Sequence, residues 1–265
     1  MTSEEMVSRL LYRDGLMLVI DKPAGLAVHQ GPPNSKDRSR ECLQDHFDAL
    51  RFGLPRPPSL GHRLDRDTSG CLVLGRHRKA LAHIGKLFRN GAIDKTYWAV
   101  VEGSPETDEG TIELPLGRLD ATRGWWMKVD AAGLPSQTRW TIAGRGEIDG
   151  RAIAWLELEP LTGRTHQLRV HCAAMGWPIL GDNVYGSASR EDSRPSAPGL
   201  QLLARRVSIP IAKARPPIVV EAPAPAHMLG ALKVCGFAGD PPPAIVEREQ
   251  ATVASQPDHD DSETE

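Results

Sequence analysis

The chain has 265 residues, of which 40% are hydrophobic and 25% charged, values typical of a globular protein and unlike those of a disordered or fibrous one. Its 32 basic and 34 acidic residues give a formal net charge of −2, which by itself argues against a nucleic-acid partner. The charge is uneven, however, because residues 240–265 hold eight acids and a single base, Arg248. Residues 1–239 therefore carry 31 bases and 26 acids, a net +5 that is compatible with RNA binding.

The domain organisation follows from the same composition. We expect an N-terminal extension over 1–9, one folded domain over 10–235, and an acidic tail over 236–265 that has too few apolar residues to fold and is disordered. No apolar run approaches the roughly 18 residues of a membrane span, and the acidic start does not look like a signal peptide. The four cysteines are far apart and predict free thiols. These features predict a cytoplasmic protein without a membrane partner.

Hydrophobic periodicity predicts many strands and three or four helices. The order lacks the strict alternation of a doubly wound fold, so the expected class is α+β with a mixed, mainly antiparallel sheet. In the first half of the chain we expect a hairpin over 10–21, a loop at 31–40, a helix over 41–50, a strand at 71–75 and a helix over 81–88. Strands are expected next at 96–101, 111–116, 125–129, 136–142 and 152–158. The last elements are a helix over 165–175, a polar loop at 187–199, strands at 200–209 and 217–221, and a helix over 225–234.

The most informative segment is GHRLDRDTSGCLVLG, residues 61–75, in which a polar loop leads directly into an apolar strand. The polar loop ends in DTSG, residues 67–70, which favour a tight turn and need no functional explanation. The turn does not explain Asp65, which lies between Arg63 and Arg66 at the entrance to the core. A carboxylate beside guanidinium groups stays ionised, which suits a nucleophile or base better than an acid.

Two further segments contain candidate functional residues. In TGRTHQLRVH, residues 162–171, Arg169 shares the predicted helix face with small side chains and could reach into a cleft, although a surface arginine is the ordinary alternative. His166 and His171 are five residues apart and share no face, and His62 has no nearby partner, so no metal site is predicted. In KTYW, strand alternation places Tyr97 and Trp98 on opposite faces of a sheet.

Together these segments resemble one family. The run HRLDRDTSG resembles the H-R-L-D-x-x-T-S-G signature of RluA-type pseudouridine synthases, which convert uridine in structured RNA from an N-glycoside to a C-glycoside. DKPAG, KTY, TGRTHQLRVH and GWPILGD also resemble motifs of that family, in the same order, over residues 10 to about 225. The resemblance implies an α+β catalytic domain, an RNA substrate in ribosomal or transfer RNA, and no metal or small-molecule cofactor.

The resemblance also implies roles for individual residues. Asp65 would be the catalytic carboxylate, Arg169 would pair with it, and Tyr97 would pack against the flipped uracil and is a candidate for handling the proton on ring carbon 5. Arg63 would help to displace the base. We expect further RNA contacts from His62, Arg66 and Arg164, and additional phosphate anchors from the basic clusters at 76–79, 205–206 and 213–215. Many relatives carry an N-terminal S4 RNA-binding domain. We expect no such domain in this protein, and we expect a monomer.

Two alternatives stay open at the level of sequence. A catalytically silent RNA-binding protein could keep the same fold, although it would have no need for Asp65, Tyr97 and Arg169 together. A carboxylate-dependent hydrolase of glycosidic bonds would require a second catalytic carboxylate. Asp67 is the only close candidate for that role, and it lies within the turn.

Overall fold

The computed structural model describes residues 1–30, 41–120, 126–186, 199–212, 214–240 and 246–247. The expected loop at 31–40, most of the loop at 187–199, Lys213 and nearly all of the acidic tail lie outside these residues. Within the described part of the chain, no helix is both long enough and apolar enough to cross a membrane. Cys42, Cys71, Cys172 and Cys235 are buried free thiols, as the sequence predicts.

Helices and strands alternate irregularly along the chain. The helices are α1 (Ser3–Ser8), a 3-10 helix (Leu43–Leu50), α2 (Arg78–Arg89), α3 (Gln167–Ala174) and α4 (Ala226–Val234). The strands are β1 (Leu10–Arg13), β2 (Met17–Lys22), β3 (Ser59–Leu60), β4 (Ser69–Gly75), β5 (Asp94–Glu102), β6 (Glu109–Glu113), β7 (Leu116–Arg118), β8 (Met127–Val129), β9 (Gln137–Ile148), β10 (Arg151–Pro160), β11 (Leu202–Ile209), β12 (Ile218–Glu221) and β13 (Val246–Glu247).

One large sheet organises the molecule, with strand order β13-β1-β2-β4-β11-β5-β10-β9-β6. Strand β12 pairs with β11, β3 pairs with β4, and β7 and β8 form a separate hairpin. The β4–β11 and β1–β13 pairs are parallel and the other pairs are antiparallel. The mixed, mainly antiparallel sheet with flanking helices confirms the predicted α+β class.

The core is divided by the sheet, as strand alternation requires. On strand β5, Trp98 joins a buried cluster that includes residues of α2 and α4. Its neighbour Tyr97 points the other way and packs against two other clusters, one containing Leu168 of α3 and one containing Phe47 of the 3-10 helix. The predicted separation of Tyr97 and Trp98 is therefore confirmed, and Tyr97 lies where two cores meet.

The folded domain continues past residue 235, the boundary expected from composition. Phe237 packs edge-on against Trp98 and Trp155, with ring centroids 5.5 and 5.6 Å apart. A carboxylate oxygen of Asp240 accepts a hydrogen bond from the Ala224 N–H at 2.6 Å, and the other pairs with Arg205 at 2.9 Å. Residues 236–240 thus belong structurally to the domain, because an aromatic ring and a carboxylate in this short stretch both find partners there.

Candidate active site

The loop that carries Asp65 leads into buried strand β4. The Thr68 N–H donates to the Asp65 carbonyl at 3.2 Å, so Asp65 occupies the first position of a turn. Lys22 on β2 holds the loop in place from the protein interior. Its fully buried ammonium donates to the carbonyls of Pro23, Arg66 and Thr68 at 2.7–2.9 Å. Burial lowers the pKa of Lys22 to about 7, against the opposing charges of nearby aspartates. The bonds to Arg66 and Thr68 fix the backbone on the C-terminal side of Asp65, and the bond to Pro23 ties it to the end of β2.

Gly70 sets the distance between β4 and β11. Its φ is +102°, and a Cβ placed there would lie 2.4 Å from the carbonyl oxygen of Ala204. Only glycine tolerates both this dihedral angle and the close approach of the neighbouring strand. The strand that follows the Asp65 turn is therefore anchored by a backbone position that no other residue can fill without displacement.

The Asp65 carboxylate is partly open to solvent and meets two side chains from the protein side. Its Oδ2 lies 3.8 Å from Nη1 of Arg169 and 3.7 Å from Nε2 of His166. The side chains of Arg169 and His166 are each only 4% exposed, whereas that of Asp65 is 29% exposed. The structure thus brings together Asp65 and Arg169, which the sequence placed in separate segments.

Arg169 lies within ion-pair distance of Asp65, as the resemblance implies, but its closer partner is Asp182, which the sequence did not indicate. Its Nε and Nη2 donate to the two oxygens of Asp182 at 2.8 and 2.7 Å. Burial opposes both charges, but this bidentate pair outweighs it, so the pKa of Arg169 is raised and that of Asp182 is lowered. Asp182 also accepts the N–H groups of Val184 and Tyr185, which ties the turn after residue 181 to α3.

His166 immediately precedes α3 and adopts the left-handed conformation, with φ 53° and ψ 18°. Its Nδ1 lies 2.8 Å from the hydroxyl of Tyr185, and that hydroxyl accepts the Met127 N–H at 2.9 Å. Burial lowers the pKa of His166, although the nearby carboxylates of Asp65 and Asp182 oppose the shift. The imidazole is therefore neutral at physiological pH.

Tyr97 and the predicted RNA-binding arginines occupy different environments. Burial, reinforced by the charge of Asp65, raises the pKa of the Tyr97 phenol, which stays protonated. Arg63 and Arg66 are exposed, and Arg66 Nε donates to the Gly25 carbonyl at 3.3 Å. Arg164 is half-buried, and its Nε donates to the Pro135 carbonyl at 3.1 Å.

His62, expected to contact RNA, has partners within the fold. Its Nε2 accepts the Val73 N–H at 3.0 Å, and its ring stacks on Phe88 with centroids 4.4 Å apart. Burial, helped by the charge of Lys95, lowers the pKa of His62 to about 3 and keeps the ring neutral. The side chain is therefore held against α2 by protein contacts, and an RNA contact of His62 stays a prediction.

Three residues of the predicted phosphate anchors, Arg76, His77 and Arg205, also have partners within the fold. Arg205 stacks over Trp98, donates to the Ala222 carbonyl and pairs with Glu221 and Asp240. Arg76 donates to the carbonyls of Asp14, Arg51 and Phe52, and His77 caps α2 by accepting the Ala80 N–H. These contacts stabilise the fold. The sequence could not show this, because a run of basic residues does not reveal which guanidinium groups have carbonyl partners.

Sequence reasoning missed four residues of the site: Lys22, His166, Asp182 and Tyr185. Lys22 and Asp182 lie in the segments DKPAG and GWPILGD, which carried the family resemblance without being assigned a role. His166 was considered only as a metal ligand, and Tyr185 had no sequence signal. Within the described ranges, no group of three or more His, Cys, Asp or Glu side chains could hold a metal ion.

Comparison with known proteins places the chain in a family. A family model described as RNA pseudouridylate synthase matches residues 16–174. An uncharacterized RNA pseudouridine synthase of Zymomonas mobilis is 40% identical over 83% of this chain and 95% of its own length. The ribosomal large subunit pseudouridine synthase C of Vibrio parahaemolyticus is 35% identical over 69% of this chain and 54% of its own length.

Solved structures give the same result. Human RNA pseudouridylate synthase domain containing 1 is 29% identical, covers 85% of this chain and 86% of its own, and superposes with a TM-score of 0.67. Human RNA pseudouridylate synthase domain containing 4 is 25% identical over 88% of this chain and 95% of its own, with a TM-score of 0.70. The family resemblance is thereby confirmed, and the chain belongs to the RluA-type family of RNA pseudouridine synthases.

Proposed function

We propose that this enzyme isomerises specific uridines in structured RNA by flipping the target base out of its stack and acting on it with the Asp65 carboxylate. The single observation that carries the proposal is the position of Asp65. Its side chain is 29% exposed, and its Oδ2 faces the buried Arg169 and His166 at 3.8 and 3.7 Å. A carboxylate held on one side and open on the other can act on a substrate that enters from solvent.

The reaction balances without an external reactant. The bond between uracil N1 and the ribose anomeric carbon breaks, and a bond forms between that carbon and uracil C5. C5 loses its proton, and N1 gains one in the product. Asp65 is the group that acts at the glycosidic bond, while Arg169 compensates the carboxylate charge as the reaction proceeds. No oxidation or net hydrolysis takes place, so the chemistry itself calls for no cofactor.

Tyr97 is suited to the uracil ring. A base inside a stem or loop must leave its stack before an enzyme can reach it, at a cost of a few kcal/mol. An aromatic side chain recovers part of that cost by packing against the flipped base. Burial and the charge of Asp65 raise the pKa of the Tyr97 phenol, so it stays protonated, and we propose that its hydroxyl takes part in moving the proton from C5.

Arginines near the mouth of the site supply the proposed RNA contacts. Arg63 and Arg66 flank Asp65 and are exposed, and Arg164 lies in the loop before α3. Arg63 would occupy the space left by the flipped base, and all three would pair with phosphates. The net charge of +5 on residues 1–239 favours binding of the negatively charged RNA backbone.

Ribosomal RNA is the first substrate to test. The relative from Vibrio parahaemolyticus is named for the large ribosomal subunit, and this chain spans about half of that protein's length. Transfer RNA is the second. Mapping pseudouridines in RNA from a strain lacking the gene, with and without a plasmid copy, would identify the nucleotide.

The two alternatives are less well supported. A silent RNA-binding protein has no use for a buried, bidentate Arg169–Asp182 pair beneath an exposed carboxylate. A hydrolase needs a second carboxylate able to activate water. Asp182 is close to Arg169, but its side chain is 0% exposed and both its oxygens are occupied, so it cannot take that role.

Replacing Asp65 with asparagine tests the proposal. RNA labelled with uridine carrying tritium at C5 releases the label when pseudouridine forms. Wild-type protein should release tritium, whereas Asp65→Asn should release none while still binding the same RNA. Undiminished release by Asp65→Asn would exclude Asp65 as the catalytic carboxylate, and no release by wild-type protein from RNA of the deletion strain would argue for the silent alternative.

A further inference from the structure

We propose that His166 is a positioning residue that holds Oδ2 of Asp65 through its Nε2–H, with Tyr185 selecting the required tautomer. The inference rests on the proposed role of Asp65. It concerns a histidine that does not touch the substrate but faces the carboxylate from the protein side at 3.7 Å.

The tautomer follows from a short chain of hydrogen bonds. The hydroxyl of Tyr185 accepts the Met127 N–H at 2.9 Å, so its own proton is available for another acceptor. Nδ1 of His166 lies 2.8 Å from that hydroxyl and takes this role. A neutral imidazole that accepts at Nδ1 carries its proton on Nε2, the nitrogen that faces Asp65.

The surroundings of His166 keep the imidazole neutral. Its side chain is 4% exposed. Among the described residues, the charged and titratable groups around it include Asp65 and Asp67 on the motif loop, Arg169 on α3, and Asp182 and Tyr185 on the turn that follows. The carboxylates favour the imidazolium, whereas burial and Arg169 disfavour it and prevail. His166 therefore contributes a hydrogen-bond donor without adding a second full charge beside Arg169.

Both protein contacts fall on the same oxygen of Asp65. Nε2 of His166 and Nη1 of Arg169 each face Oδ2, at 3.7 and 3.8 Å. Both distances are longer than a hydrogen bond, so in the free protein the two groups face Oδ2 without binding it tightly. Substrate binding would shorten these contacts, as catalytic hydrogen bonds commonly tighten in the reactive complex.

The backbone at His166 gives a second, independent indication. A histidine with φ 53° occupies a conformation that costs free energy for residues other than glycine, and asparagine is among the side chains that tolerate it best. Strained backbone positions of this kind cluster at functional sites. If His166 only shaped the turn before α3, asparagine would replace it well; if Nε2–H is needed, asparagine is too short and glutamine is the closer substitute.

His166→Gln and His166→Asn form a matched pair of variants that separates the two roles. We expect Gln, which can place an N–H near the Nε2 position, to retain turnover within about tenfold in the tritium-release assay. We expect Asn to lower turnover by about 10²-fold, with KM, RNA affinity and melting temperature close to those of His166→Gln. Asn performing as well as or better than Gln would overturn the proposal.

Nitrogen-15 NMR of the imidazole provides a readout that does not depend on activity. In the full-length protein we expect the His166 signals of the Nε2–H tautomer, a shift of the Nε2 signal in Asp65→Asn, and mixed tautomers in Tyr185→Phe. An Nδ1–H tautomer in the wild type, or no response to Asp65→Asn, would overturn the proposal. Wild-type protein without tritium release would contradict the proposed function, while the NMR result would still decide the position of His166.

Discussion

Arg169 binds Asp182 through two hydrogen bonds of 2.8 and 2.7 Å, while it approaches Asp65 only to 3.8 Å. The guanidinium is therefore oriented by one carboxylate and presented to another. Because Asp182 takes Nε and Nη2, the remaining Nη1 is the nitrogen that faces Asp65. This division of contacts leaves Asp65 less tightly bound, and thus freer to act, than a bidentate pair with Arg169 would.

Removing one member of the Arg169–Asp182 pair should be costly. Arg169→Met leaves the Asp182 carboxylate buried without its counterion, for which a loss of about 3–5 kcal/mol in the free energy of unfolding is expected. Activity should fall below detection because the buried guanidinium that faces the Asp65 carboxylate is lost. Urea unfolding and tritium release measure the two effects. A wild-type melting curve together with wild-type turnover would contradict the role given to this pair.

A double variant separates stability from catalysis. In Arg169→Met with Asp182→Asn no charge is left buried, and the amide oxygen can still accept the N–H groups of Val184 and Tyr185 that Asp182 holds now. We expect the double variant to recover most of the stability lost in Arg169→Met and none of the activity. Recovered turnover would mean that Arg169 serves only the fold.

Tyr97→Phe should distinguish packing from proton handling. Phenylalanine keeps the ring that would pack against the uracil but removes the hydroxyl, whose pKa is raised by burial and by Asp65. If the hydroxyl moves the C5 proton, turnover should fall by about 10²-fold at nearly unchanged RNA affinity. Tyr97→Leu, which lacks the ring, should weaken RNA binding as well. Equal turnover of Tyr97→Phe and wild type would limit the residue to packing.

Gly70→Ala should disturb the Asp65 loop by displacing the strand that follows it, β4. The added methyl group would meet the Ala204 carbonyl at 2.4 Å, at a φ of +102°, so β4 and β11 must separate. We expect a loss of about 2–4 kcal/mol in the free energy of unfolding together with reduced turnover. Gly15→Ala is the matched control, because nothing lies within 4 Å of the added carbon. Equal stability of the two variants would show that β4 can move away from β11 at little cost.

The parts of the fold that sequence predicts are those set by local pattern. Alternation along β5 separates Tyr97 from Trp98, and an Asp-Gly turn joins β1 to β2. The partner of Arg169 could not be predicted this way, because Asp182 lies 13 residues further along the chain and reaches it only when the following turn folds back. The role of His62 was hidden for a similar reason, since its ring is held by Phe88 on a different element.

His62 should make the protein sensitive to acid. The ring keeps a pKa of about 3 when folded, against an ordinary value near 6.5, so the unfolded chain binds a proton between these pH values and the folded chain does not. Stability is therefore lost as pH falls through this window, by up to about 1.4 kcal/mol per pH unit. Urea unfolding at pH 7, 6, 5 and 4 should give a steeper decline for wild type than for His62→Gln, which carries no titrating group. Parallel declines would mean that other groups dominate the acid response.

The acidic tail should be dispensable only beyond Asp240. A chain ending at Asp240 keeps the contacts of Phe237 and of Asp240 with Arg205, and it loses seven acids and one base. We expect this chain to bind RNA at least as tightly as the full-length protein, with a similar salt dependence, because the basic residues of the domain are unchanged. A chain ending at residue 235 exposes Trp98 and leaves Arg205 without one of its carboxylates, and should melt at a lower temperature. The chain that ends at Asp240 also lacks β13, which pairs with β1, so its melting temperature is measured beside its RNA affinity. Weaker RNA binding at an unchanged melting temperature would give the tail a role in recognition.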